Sequence, residues 1–258
     1  MRASVVTPAI RLMAFVCVGF TLNLAASGVR QSTSSSRGDT YASIATLPDW
    51  SGVWVIPFEA FARENARERV PGSSTGPTLT PEEATKRAAL AQRILSGDGQ
   101  SNVLCVPGGM PSVMRFAFGV EFLFTPGRVT MLLEQGPTIR RIYTDGRTHT
   151  SDPDLTYAGE SIGHWEGETL VVDTTGITPR ARITNGVYGS GKTRIVERIH
   201  LADRTHLQID TVVEDPLILQ APWRHTRIYE RSDSGWFERY CDNNRDGNDA
   251  EPDLTPPK

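Results

Sequence analysis

Arg194-Ile195-Val196-Glu197-Arg198-Ile199-His200-Leu201 and, beyond the turn Ala202-Asp203-Arg204, His206-Leu207-Gln208-Ile209-Asp210-Thr211-Val212-Val213 alternate apolar and polar side chains almost without break. A period of two marks strands with one buried and one wetted face, and a turn cluster between two such runs marks a hairpin. The same period recurs over 116–124, 129–134, 139–143, 169–174, 224–229 and 236–241. Turn clusters separate these runs, among them Thr125-Pro126-Gly127, Thr144-Asp145-Gly146, Glu166-Gly167-Glu168 and Ser232-Asp233-Ser234-Gly235. So many short strands at hairpin spacing predict a mostly β fold, an antiparallel barrel or a sandwich, and closure into a barrel is the simpler way to hide the edges.

Upstream of this region, Leu47-Pro48-Asp49-Trp50-Ser51-Gly52-Val53-Trp54-Val55 reads as a first strand. One or two short helices are expected near the N-terminus. Thr80-Pro81-Glu82-Glu83 supplies an N-cap, a first-turn proline and a capping-box glutamate, and Ala84, Ala88, Leu90, Ala91, Ile94 and Leu95 follow before Gly97. Residues 58–69 form the second candidate, with a thinner apolar face.

The 258 residues, 38% hydrophobic and 22% charged with 23 Gly and 17 Pro, describe a turn-rich globular chain rather than a disordered one or a multispan membrane protein. A net charge of −3 provides no basic field, so nucleic acid is not an expected partner. Arg2 and Arg11, the apolar run 12–20 and the small-residue exit Ala25-Ala26-Ser27-Gly28 form the pattern of a secretory signal peptide over 1–26. The apolar run is too short to serve as a span. Residues 27–46 read as a flexible Ser/Thr/Gly-rich tether, 47–244 as a single β-rich domain and 245–258 as an acidic, Pro-rich tail. A periplasmic or secreted location follows. Cys17 leaves with the leader, and the remaining Cys105 and Cys241 are then expected to form one disulfide, worth about 4–5 kcal/mol on chain-entropy grounds.

Gly186-Val187-Tyr188-Gly189-Ser190-Gly191-Lys192-Thr193 matches the phosphate-loop pattern letter for letter. That chemistry needs a helix after the loop, whereas residues 194–199 alternate like a strand, so the segment is expected to be a plain Gly-rich loop. Asp242, Asn244 and Asp246, with Gly247 at the sharp turn, carry the oxygen spacing of a calcium loop. Prolines at 252, 256 and 257 forbid the exit helix of an EF-hand, which leaves a weak structural calcium site or a solvated turn. No other cofactor is expected. The histidines, at 149, 164, 200, 206 and 225, include no helical zinc pair, and no Gly-x-Ser-x-Gly elbow is present.

Alternation places Trp223, His225, Arg227 and Tyr229 on one face of one strand, and Trp236, Glu238 and Tyr240 on one face of the next. Aromatic bodies with polar tips are what a small-molecule pocket combines, although the same faces also suit an amphipathic outer surface. Arg141 and Tyr143 are possible additions to the pocket, and Glu121, Glu134 and Glu197 are further candidates to point inward. Three function classes fit: a barrel binding a small, partly aromatic or lipophilic molecule; a lyase, isomerase or hydrolase using His225 or Glu238 as general base, with Arg227 or Arg141 steadying an anion; and a structural envelope-associated module.

Arg140-Arg141-Ile142-Tyr143-Thr144-Asp145-Gly146-Arg147 and Ser161-Ile162-Gly163-His164-Trp165-Glu166-Gly167-Glu168-Thr169-Leu170-Val171-Val172-Asp173-Thr174, with Glu214-Asp215-Pro216 ahead of Pro222-Trp223, resemble blocks shared by a large group of exported bacterial proteins of unknown function. The resemblance runs from about Trp50 to Asn244 and includes a cysteine before a Pro-Gly-Gly-Met-Pro segment and another near the end. It implies a mostly antiparallel, lipocalin-like extracytoplasmic domain and transfers no catalytic role. Trp165, beside the turn at Gly167, is placed to cap one end of a barrel.

Overall fold

A computed structural model describes residues 37–68, 76–95, 107–135, 138–184 and 186–233. The leader, Cys105 and Cys241, the strand expected at 236–241 with Glu238, and the calcium-loop residues Asp242, Asn244 and Asp246 lie outside the described residues.

The alternating runs form a closed barrel. In chain order its strands are β1 (Val53–Val55), β2 (Val120–Thr125), β3 (Arg128–Leu133), β4 (Thr138–Tyr143), β5 (Glu160–Glu166), β6 (Thr169–Thr175), β9 (Arg194–Leu201), β10 (His206–Glu214) and β11 (Trp223–Ser232). Around the wall they run β1-β11-β10-β9-β6-β5-β4-β3-β2 and back to β1. Between β6 and β9, β7 (Arg182–Thr184) and β8 (Val187–Tyr188) make a separate two-stranded sheet. The quoted hairpin is the β9–β10 pair, with Ile199 opposite Ile209 and Glu197 opposite Thr211. Every pairing in the wall is antiparallel except β4–β5, where Ile142 and Tyr143 pair in parallel with Ser161 and Ile162. A parallel neighbour requires a long crossover, which the segment between Tyr143 and Glu160 provides.

β5 is a strand that period two did not announce, because Gly163 sits at its centre and glycine carries little strand preference. The glycine is there for contact: a Cβ at this position would lie 2.8 Å from Ile142 Cγ2 and 3.2 Å from Leu170 Cδ1. The run expected from 116 begins as a strand only at Val120, because a 3₁₀ turn (Ser112–Arg115) precedes it.

The ends of the barrel differ in chemistry. At the end carrying the turns near Gly127, Gly167 and Asp203, Trp50, Phe122, Phe124 and Trp165 form an aromatic plug with centroids 5.1–5.9 Å apart. Trp165 thus caps this end, as its place beside a turn implied. The last part of the expected tether is folded against the same end. α1 (Tyr41–Ile44) follows the N-cap Thr40, Gly38 O accepts from Gly127 N at 3.0 Å, and Arg37 Nη1 donates to Gly167 O. Local capping and these cross-chain bonds order a segment whose composition reads as unstructured.

α2 (Phe58–Glu68) and α3 (Pro81–Leu95) are the two expected helices. Thr80 caps α3 as predicted, its Oγ1 accepting from Glu83 N at 3.4 Å, and the chain before it pairs with the β10–β11 connection through Thr80 N to Ile218 O and Gln220 N to Thr78 O, both 2.9 Å. Among the described residues no helix is long and apolar enough to cross a membrane.

Candidate functional site

β11 turns Trp223, Arg227 and Tyr229 into the barrel and leaves Arg224, Thr226, Ile228 and Glu230 outside, as the alternation predicted. His225 belongs to the inner set and is half-buried, its ring 4.3 Å from the Trp223 ring at a 37° tilt. β10 flanks β11 on one side along its full length. On the other side β1 pairs with Glu230–Ser232, and among the described residues no strand pairs with Trp223 to Tyr229 there. α2 meets β11 at this seam: Glu64 Oε1 accepts from Arg227 Nη2 at 2.8 Å, and Phe61 packs 6.0 Å from Phe116, beyond the 3₁₀ turn. Tyr229 OH donates to Met114 O within that turn.

The hydrogen bonds settle the protonation of His225. A guanidinium has no acceptor, so the contact between Arg227 Nη1 and His225 Nε2 makes Nε2 the acceptor, and the neutral ring carries its proton on Nδ1. Burial, reinforced by the guanidinium charges of Arg227 and Arg115, pushes the imidazole pKa from 6.5 down to about 2. The ring is therefore neutral at ordinary pH. Burial also pushes the Tyr229 phenol up. Two donors in this group, His225 Nδ1 and Arg227 Nε, are buried with no hydrogen-bond partner. Buried polar atoms are normally satisfied; Trp50 Nε1, Trp165 Nε1, Arg128 Nε and His149 Nε2 are open in the same way elsewhere in the chain.

Next to this group, inward-facing Arg140 anchors a polar cluster. Its Nε donates to Ser161 Oγ at 3.1 Å, its Nη2 donates to Thr174 Oγ1 at 2.9 Å and to Glu197 Oε2, and Ser161 and Thr174 share a 2.9 Å bond. Glu197 and His225 both flank Thr211 across the strands, so one polar band runs from β4 round to β11.

The structure divides the residues predicted to bind a ligand. Trp223, His225, Arg227 and Tyr229 converge as expected; Arg141 and Tyr143 do not join them. Arg141 is exposed on the outer face of β4 beside Ile139, which is 50% exposed, while Arg140 and Ile142 face inward. Apolar residues on both faces of β4 hid its parity from the sequence. Arg141 and Tyr143 instead line an open outer cleft of about 570 Å³ with Thr150, Asp154, Thr156 and Glu160, and the Arg147 guanidinium lies 3.8 Å above the Tyr143 ring. Of the other inward candidates, Glu197 and Glu134 are buried, the latter accepting from Gly119 N at 2.6 Å, whereas Glu121 alternates with inward Val120 and Phe122 and faces outward. Glu64, Arg115, Arg140, Ser161 and Thr174 were not anticipated. Only Arg140 had a usable signal, its two-residue spacing from Ile142.

The phosphate-loop segment is a structural loop. A carboxylate occupies its donors: Asp215 accepts from Ser190 N at 2.9 Å, Ser190 Oγ at 2.7 Å and Thr193 Oγ1 at 2.7 Å, and β9 rather than a helix follows. Asp215→Ala is expected to destabilise the fold by about 2 kcal/mol, read as a lower urea midpoint at unchanged m-value; a shift equivalent to under about 0.5 kcal/mol would show that these bonds do not hold the loop. Among the described residues no three His, Cys, Asp or Glu side chains gather into a metal-binding group.

Comparison with known protein families, with curated proteins and with solved structures finds no match to this chain.

Proposed function

We propose that this protein is an exported β-barrel that binds a small, partly aromatic or lipophilic molecule at the α2-covered seam, between Trp223, His225, Arg227 and Tyr229. Two buried N–H groups beside an indole, left without acceptors, carry the proposal. A fold that retains such donors bears a desolvation cost that a ligand acceptor would remove. The opening lies beside α2, whose Glu64 reaches Arg227. Export rests on the leader pattern of residues 1–26.

The same geometry disfavours the enzymatic alternative with His225 as base. Its acceptor nitrogen is taken by Arg227 and its other nitrogen is protonated, so the ring is set to donate. Titration of the full-length purified protein with N-phenyl-1-naphthylamine, a neutral aromatic lipophile, is expected to give saturable, one-to-one fluorescence enhancement. Trp223→Ala is expected to weaken it roughly ten-fold by removing the stacking surface. Absence of saturable binding, together with no small molecule released on denaturation and detected by mass spectrometry, would leave the barrel as a structural module.

A further inference from the structure

The crossover from β4 to β5 builds a second concave surface, on the opposite side of the barrel from the seam. Around the wall, β1, β2 and β3 separate β11 from β4 one way, and β10, β9, β6 and β5 separate them the other. The crossover is pinned in two places. Glu160 Oε1 accepts from Thr150 Oγ1 at 2.7 Å and Glu160 Oε2 accepts from Thr150 N at 2.9 Å. Further on, Thr156 N donates to Gly176 O at 3.0 Å and Thr178 N donates to Thr156 O at 2.9 Å. Between these anchors Pro153 packs on Gly176, where a Cβ would lie 3.1 Å from Pro153 Cγ. The cleft of about 570 Å³ is the space held open between this segment and the outer row Ile139, Arg141 and Tyr143 of β4. Its size is that of a small-molecule site, about 300–1,000 Å³. Uncommitted charges of both signs line it. Arg141 comes from β4, and Asp152 and Asp154 from the crossover; all three are exposed, and none has a hydrogen bond or ion pair among the described residues. The neighbouring charges are spent, Arg147 on Asp145 and Glu160 on Thr150 and His149.

We propose that this cleft is a second site, independent of the seam, and that it binds a neutral oligosaccharide. The Arg141 guanidinium only donates and the two carboxylates only accept, so an ion of either sign meets a like charge on one wall. A sugar hydroxyl both donates and accepts. Neighbouring hydroxyls on one ring can therefore answer Arg141 and an aspartate together, through charge-assisted bonds. Ile139, 50% exposed, offers apolar surface to the C–H face of a pyranose. From Ile139 to Tyr143 the outer row of an extended strand runs about 13 Å. That is longer than one monosaccharide ring, and the cleft is open rather than enclosed, which suits a chain over a single sugar. A zwitterion such as a dipeptide also carries both signs, but it sets one ammonium against two carboxylates and brings no array of hydroxyls.

The test is calorimetric titration of the full-length protein with maltotetraose, cellotetraose, mannotetraose and tetra-N-acetylchitotetraose, and with alanyl-alanine as the zwitterion. At least one tetrasaccharide is expected to bind with a Kd below about 1 mM. It is expected to bind roughly ten-fold more tightly than its own monosaccharide, and the dipeptide is expected not to bind. Arg141→Ala and Asp154→Ala are each expected to weaken that tetrasaccharide about ten-fold, the lower end of what a hydrogen bond to a charged group is worth. Their urea midpoints are expected to stay at the parent value, because both side chains are exposed and unpartnered. Saturating N-phenyl-1-naphthylamine is expected to leave the sugar affinity within about two-fold, since seam and cleft lie on opposite sides of the barrel. Either site can therefore fail while the other stands. No binding of any tetrasaccharide, or binding of the dipeptide alone, would overturn the proposal. So would an affinity unchanged in both variants, or displacement by the naphthylamine, because each places the sugar outside the cleft.

Discussion

Glu197→Ala is expected to cost the fold about 3–5 kcal/mol, the largest loss of any single substitution considered for this chain. Arg140 and Glu197 are each 1% exposed, and Glu197 supplies the counter-charge to the guanidinium alongside two hydroxyls and the Met131 sulfur. Truncating the glutamate strands a cation inside the wall, with the desolvation already incurred and the compensating attraction gone. Replacing both members tests the cause: Arg140→Met with Glu197→Leu removes the charge together with its partner and is expected to recover most of the loss, because apolar residues of similar volume replace buried pairs at little net cost. Guanidinium unfolding of the two singles and the double, as a thermodynamic cycle, gives the coupling directly. A Glu197→Ala loss below about 1 kcal/mol would mean that the pair does not hold this half of the barrel.

What could be seen in the sequence depended on how far each element follows one simple period. β9, β10 and β11 bury alternate residues along almost their whole length, so the strands and the shared face of Trp223, His225, Arg227 and Tyr229 could be read directly, while the same pattern left open whether that face pointed inward. β4 offers Ile139 and Ile142 to opposite faces, and the inward arginine was therefore misplaced by one position, to Arg141. β5 was missed because the feature that lets it pack, Gly163 against Ile142 and Leu170, is the one that weakens a strand signal. The seam was beyond reach for a different reason. Glu64 lies far from Arg227 in sequence, on a helix whose apolar face is thin, and no local pattern pairs the two. Local patterning reports which side chains share a face; it does not report which distant residue meets it.

The second large effect is on pH dependence. In the unfolded chain His225 takes up a proton near pH 6.5, while in the fold burial and the Arg227 and Arg115 charges delay that until about pH 2. Between those values the unfolded state binds one more proton than the native state, so acid favours unfolding. This contribution is fully present above pH 6.5 and is lost as pH falls, at a slope of up to about 1.4 kcal/mol per unit, or about 3 kcal/mol by pH 4.5. Carboxylates held low in the fold, such as Asp203 at about 2, add their own acid losses, but these begin only near the ordinary carboxylate range. The interval from pH 6.5 to 5 therefore isolates the imidazole. In His225→Phe the stability of the fold is expected to be nearly flat across that interval, whatever its absolute level, because the phenyl ring has no proton to gain. Urea midpoints at half-unit pH steps provide the comparison, and a variant with the parent's slope would place the titrating group elsewhere.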